Sequence, residues 1–496
     1  MAFVAALTVG LLALLIAPGY SFYFDVTPKT AVLLVGTAGL LILAARRRES
    51  PRVSRLFSLL LLLNALSLAV STALSANRPL SLNGGSWRCF GALMQCAAML
   101  FAWLVAGQSA RTVLRGVSIA SVLAGVFGVV RPPGTLGGAD HLFMWLLMGA
   151  FLSMALSTME THRIPRVAAW IAAAISFASL VTVGVRAAPW RDANPLPWRD
   201  TLSMAARSPL AGYGPEVFLE QFPHFESKAL AQSGPDAIYE SPRNAFLDTL
   251  VAQGAPGLLL WCGLCAVGLA AAWRQRAGWL TAALAAGIVG LQFTSFILPT
   301  AVLFLTTIGL AAQAENPGQW RPTPLISAAA PLLVLALLYL AVRFTMADHT
   351  LAVTRQLLDA RDLRDATAEY EAYWFWHLSG ASADVWYSRS WMDLARTAAE
   401  PEMRVEALSI AAQSAARAVS DSEEPFLAWY NRAQIAAYQD DLEESQKNLR
   451  SAISAHPNWY RPHWMLAQQL FRESRTEEGR REAALAAELA PSLHLH

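Results

Sequence analysis

Apolar stretches close to bilayer-crossing length recur through most of this chain, and they narrow its possible folds more than any other feature. Crossing the hydrocarbon core takes about 20 mostly apolar residues. By that measure eleven spans can be read, roughly 2–19, 30–45, 56–74, 90–106, 113–130, 142–159, 167–185, 257–273, 279–296, 300–314 and 325–343. The expected fold is therefore all-α, with a polytopic transmembrane helical domain over residues 1–343 and a helical-repeat domain over 344–496. Composition points the same way: 55% of residues are hydrophobic and 15% charged, where a soluble domain has about a quarter charged. A net charge of +2 favours neither nucleic acid nor a strongly acidic partner. The run Ala2 to Ile16 has no preceding Lys or Arg and a poor cleavage site in Ala17-Pro18-Gly19, so it reads as an uncleaved first span.

The basic residues set an orientation. With a cytoplasmic N-terminus, the inner loops hold Arg46, Arg47, Arg48, Arg52, Arg55, Arg111, Arg115, Arg163, Arg166, Arg274, Arg276 and Arg321. The outer short loops hold only Lys29, Arg78, Arg88 and Arg131. Cytoplasmic loops carry the excess of Lys and Arg, so twelve against four places the long polar loop 186–256 outside. An odd number of spans puts the C-terminal part outside as well.

Neither a metal nor a redox centre is readable. Cys262 and Cys265 lie in an apolar run with no second pair or histidine cluster near them, which fits packing residues. No cofactor is expected.

From about Phe344 the chain becomes charged, aromatic and alanine-rich. Pro425, Pro457 and Pro491 follow one another at 32 and 34 residues. Trp429-Tyr430 with Ala433 and Tyr438, then Trp464 with Ala467 and Phe471, fall between them. Order and spacing resemble tetratricopeptide repeats, helix pairs that bury their apolar faces by stacking; a plain helical bundle is the alternative. Either would serve to bind a protein partner.

The polar loop carries the residues suited to chemistry. Ser241 and Pro242 read as the N-cap and first position of a helix that would hold Arg243 and Asn244 in its first turn. A cation there opposes the helix dipole by about 0.3–1 kcal/mol. A bound phosphate would reverse that sign, as would pairing with Glu240 or Asp248. Arg186 ends the seventh span, where long cationic side chains commonly reach for headgroups. Arg191 and Arg199 follow it, and Lys228 is the one lysine between Arg186 and Pro256. Guanidinium forks suit a diphosphate bidentately, whereas lysine offers a point charge.

Val185-Arg186-Ala187, Pro209-Leu210-Ala211-Gly212-Tyr213-Gly214, and Arg243-Asn244-Ala245-Phe246-Leu247 running to Gly254 and Gly257 together resemble the outer loop of the O-antigen ligase and polymerase family. Ser81-Leu82-Asn83-Gly84 with Arg88 and Gly91, and Arg131 to Gly137, also look familial, although Gly138-Ala139-Asp140 replaces the usual Asn-Pro-Asn. The likeness covers about residues 20–315. It implies a bacterial inner-membrane protein with a periplasmic loop. Such a protein moves a glycan from an undecaprenyl-diphosphate carrier to an acceptor hydroxyl, without metal or nucleotide. Membrane lipid and the lipid-linked saccharide would be its partners.

Carried over by position, Arg186 and Arg243 would be catalytic, with Arg199, Arg191, Asn244, Gly212, Gly214 and Arg88 binding substrate. The family histidine falls on Arg243, and arginine cannot act as a general base. A base would come from Glu216, Glu240, Asp236 or His224, while His141 beside Asp140 could approach from the start of a span. Ligase and repeat-unit polymerase are not separated by these motifs. A non-catalytic glycan-lipid scaffold is the reading that Arg243 favours, and a transporter fits less well because no charge sits mid-span.

Overall fold

The computed structural model describes residues 1–47, 53–132, 134–187, 196–313 and 324–493. Among these residues the regular elements are all helices, with no strand. Two compact units result: Met1–Ala193, Leu210–Pro215 and Arg243–Leu378 form the first, and Asn194–Pro209, Glu216–Pro242 and Ser379–His496 form the second.

Among the described residues, seven helices of the first unit are long and apolar enough to cross a membrane, which marks the chain as a membrane protein: Thr27–Arg46, Arg55–Leu74, Ala110–Val130, Ala139–Met159, Arg163–Arg186, Ala245–Arg274 and Ala329–Asp359. Four shorter apolar helices, Ala2–Leu14, Ala92–Ala106, Gly278–Gly290 and Leu298–Ala311, pack among them. Thirteen residues rise only about 20 Å, less than the roughly 30 Å of hydrocarbon. The structure moves the end of two of the stretches read from the sequence. The first helix stops at Leu14, before the Pro18 turn, rather than at 19. The stretch 279–296 is helical only to Gly290. Leu291, Thr294, Ser295 and Phe296 then continue as buried irregular chain, which hydrocarbon tolerates only inside protein.

The last apolar helix also outruns its reading. It extends from Pro324 to Asp359, so the compositional change near Phe344 falls within a helix. Its polar continuation clasps residues 19–23. Asp348 accepts from the Tyr23 amide at 2.9 Å, the His349 ring stacks on Tyr20, and the Gln356 amide donates to the Gly19 carbonyl. Arg343 donates to the Trp376 and His377 carbonyls and so fastens the end of helix Leu363–Trp376.

Helix Ala245–Arg274 is bent at Gly254, whose φ of 70° and ψ of −171° interrupt the helical run. Only glycine visits that region readily. The bend turns the Ala252 carbonyl out of the helix ladder, where it accepts from Ser71 Oγ and the Gly214 amide.

In the second unit, antiparallel helix pairs recur with a period of 34 residues. Ala418, Ala452 and Ala486 are fully buried and 34 apart, as are Ala433 and Ala467. Asp440 and Ser474, also 34 apart, both turn the chain with positive φ between paired helices. A small side chain at each such position lets two helix backbones approach, which is why alanine recurs there.

Gly254 and Gly263 provide a matched test in one helix. Gly254→Ala forces an L-residue into glycine-only backbone and should destabilise by about 1–3 kcal/mol. A methyl at Gly263 meets only ordinary contacts with Leu60 and should stabilise by about 0.5–1 kcal/mol. Thermal unfolding of the two variants in detergent reads the difference.

Candidate functional site

Five segments of the first unit meet at the end of the bundle from which the long loop departs, and glycines make the meeting close. Gly84 and Gly91 lie backbone to backbone, where a Cβ on Gly84 would come within 2.7 Å of the Gly91 nitrogen. They pinch off a loop that carries Trp87 and Arg88. Gly137 (φ 77°) leaves room for the Asp25 carboxylate, which a Cβ would approach to 2.6 Å. Gly212 and Gly214 have φ of 68° and 104°. The Tyr213 and Gly214 amides donate to the Val251 and Ala252 carbonyls at 2.8 and 3.0 Å. A side chain on Gly212 would strike Ala252, and one on Gly214 would strike Ser75 and Ser81. Both glycines thus seat the loop on the bent helix, a structural task distinct from the substrate contact expected of them.

Arg88 is buried. It forks onto Asp248, with Nη1 2.7 Å from Oδ2 and Nη2 3.3 Å from Oδ1. Nη1 also donates to the Phe296 carbonyl, and the guanidinium lies 4.6 Å from the Trp87 ring centroid. The sequence offered Asp248 as a partner for Arg243; in the structure its carboxylate serves Arg88.

The entry to helix Ala245–Arg274 differs by one turn from expectation. Asn244, not Ser241, is the N-cap, its Oδ1 accepting from the Phe246 and Leu247 amides at 3.0 and 3.1 Å. Pro242 therefore precedes the helix, and Arg243 and Asn244 lie outside its first turn. Asparagine caps as well as serine does and binds both free amides here. Its Nδ2 reaches Gln292 at 3.2 Å, and the Ala245 amide reaches the Leu291 carbonyl. The irregular chain after Gly290 is thereby tied to the cap.

Arg243, just before that cap, is exposed and has a left-handed backbone with φ of 49°. A non-glycine residue held there stores about 1–3 kcal/mol. Its charge acts on Asp140 and His141 at the start of helix Ala139–Met159. Asp140 accepts from Thr294 Oγ1 at 2.8 Å and stands 3.5 Å from His141 Nδ1. Among the described residues that buried nitrogen has no hydrogen-bond partner. Arg88 and Lys29 also act on the His141 ring, and Lys29 itself donates to the Thr135 carbonyl.

The other expected residues are dispersed. Arg186 is exposed at the end of its helix and donates to the Val129 carbonyl at 2.9 Å. Arg199 is exposed on a helix of the second unit. Arg191 lies outside the described residues. The base candidates Glu216, His224, Asp236 and Glu240 all belong to the second unit. Asp236 is engaged by Arg461 at 2.8 Å. Burial, with the charge of His456 nearby, pushes the His224 imidazole below its usual range. Asp25, Gln292 and Thr294 went unnoticed in the sequence because each is one polar residue at the edge of an apolar run, and Asp248 was read only as a partner for Arg243.

Beside the bend, Leu63, Leu66, Val70, Leu210, Pro256 and Leu259 wall an open apolar groove of about 500 Å³. The buried Gln253 Oε1, without a hydrogen-bond partner, borders it. From Asp248 to Gly254 the helix rises about 9 Å, so charged cluster and apolar groove are neighbours along one helix.

Asp248→Ala leaves the Arg88 guanidinium buried without its carboxylate, and such losses cost about 3–5 kcal/mol. The Arg88→Met, Asp248→Leu double variant should cost clearly less than Asp248→Ala alone, which thermal unfolding of the two proteins will compare.

No protein-family model matches the chain, and no curated protein matches it either.

Proposed function

We propose that the chain is a glycan transferase of the O-antigen ligase kind. It would move a saccharide from a polyprenyl-diphosphate carrier to an acceptor hydroxyl at the outer face of the bacterial inner membrane. The observation that carries this reading is Arg243: an exposed guanidinium kept on strained backbone beside Asp140 and His141, at the end of the helix that walls the apolar groove. A lipid diphosphate has the matching parts, a dianionic head for the arginine and an apolar tail for the groove. The seven long apolar helices and four short ones together make up the eleven-span domain of this proposal, with the 34-residue helix pairs as tetratricopeptide-like repeats.

The acceptor oxygen attacks the anomeric carbon while the bond from that carbon to the carrier phosphate oxygen breaks. Diphosphate leaves with the bonding pair, and Arg243 stabilises the developing charge through preorganised donors. The acceptor proton passes to the His141 imidazole, on which the Arg243 charge acts. That assignment replaces the loop carboxylates as the base and leaves Arg243 an electrostatic role suited to a residue that stays protonated. Arg186, held at the Val129 carbonyl, serves the carrier's approach at the bilayer surface.

The non-catalytic scaffold remains the second reading, favoured by arginine where the family has histidine. Transfer by the purified protein in liposomes separates the two. Arg243→Ala should lower turnover about a hundredfold or more, and His141→Gln should remove the acidic limb of the pH–rate profile. Undiminished transfer in both variants would contradict the site, and carrier binding without any transfer by the wild type would favour the scaffold.

A further inference from the structure

Residues 216–242 contain only short helices, Phe218–Gln221 and Lys228–Ser233, with one 3-10 turn between them. Helices of four and six residues do not persist alone in water, so their order comes from what they touch. Within the second unit they touch the helix pairs. Ala231 is buried in a cluster with Phe426, Trp459, Tyr460, Ala486 and Leu489. Phe222 and Pro223 line a small pocket with Phe426 and His456. Around this apolar centre the polar contacts are complementary. Glu226 pairs with His456 where both are buried. The Asn458 amide donates to the Glu226 carbonyl at 2.6 Å. Lys228 meets Glu488 at 2.8 Å, the Gln232 amide donates to the Glu488 carbonyl at 2.9 Å, and Asp236 meets Arg461.

An apolar anchor in a pocket, ringed by opposite charges and carbonyl contacts, is how a helical repeat face takes a peptide. We infer that the repeats' recognition face is built for residues 216–242 of this same chain, and that its task is to order the loop rather than to recruit a second protein there. Tethering makes the contact intramolecular, so modest affinity suffices for occupancy. Trp198 Nε1 donates to the Pro242 carbonyl at 2.8 Å, so the ordered segment ends at the residue preceding Arg243. The contact holds whether or not the chain turns over a glycan lipid.

Hydrogen exchange on the full chain in nanodiscs tests it with changes made on the loop side only, which spare the repeat fold. Glu226→Ala combined with Ala231→Arg removes the buried carboxylate and drives a charge into the apolar cluster. Exchange across 216–242 should accelerate at least tenfold, while amides of Pro401–Asp421 stay protected. A synthetic wild-type peptide of residues 216–242, added to this variant, should bind and restore protection around Trp459. Unchanged protection of 216–242, loss of protection equally through the repeats, or no binding of the peptide at millimolar concentration would each overturn the assignment.

Discussion

The architecture of the candidate site depends on one buried ion pair. Arg88 and Asp248 come from segments 160 residues apart, and each would be costly to bury alone. Together, with the Phe296 carbonyl and the Trp87 ring completing the guanidinium's surroundings, they join three pieces of chain. These are the pinched loop between Gly84 and Gly91, the first turns of the bent helix, and the irregular chain after Gly290. The positions of Asn244 and hence of Arg243 follow, because Asn244 caps that same helix and bonds to Gln292 in that same irregular chain.

Two kinds of arginine therefore occupy this end of the bundle. Arg88 is neutralised and structural, and Arg243 is exposed on strained backbone. By resemblance Arg243 reads as catalytic and Arg88 as substrate-binding, since an arginine near a glycine motif looks the same whether its partner is a ligand or a distant aspartate. The glycines show the same ambiguity. Gly212 and Gly214 have the spacing of a ligand-binding turn, yet the space beside them is filled by Ala252, Ser75 and Ser81. What the motif encodes is close passage of the loop over a helix bend, and the bend exists because Gly254 adopts a conformation closed to other residues.

The all-helical character and the membrane class were legible because hydrocarbon leaves long apolar runs little choice but helix. A repeat could be read from Pro425, Pro457 and Pro491 and the aromatic and alanine positions between them, whereas Ala418, Ala452 and Ala486, small and buried at a 34-residue spacing, emerge only from the structure. Helix ends were less legible. Ser241-Pro242 reads as a helix start, yet it is Asn244, three residues on, whose Oδ1 accepts from the free Phe246 and Leu247 amides. The run past Phe344 reads as a boundary because it turns polar, but Asp348, His349 and Gln356 are polar in order to hold residues 19–23. The division of the loop between two units was invisible, because Pro209, Pro215 and Pro242 carry no signal of which body they join.

The central claim is that a lipid diphosphate lies with its head at Arg243 and His141 and its tail in the groove by the bend. A photoreactive polyprenyl-diphosphate analogue, crosslinked to the protein in nanodiscs and mapped by mass spectrometry, measures this directly. Adducts should concentrate on residues 63–71 and 253–260 from a tail label and on 140–141 and 243–244 from a head label, with excess unlabelled carrier suppressing both. Adducts spread evenly over the apolar helices, or gathered around Arg115 and Glu160 at the opposite end of the bundle, would contradict it.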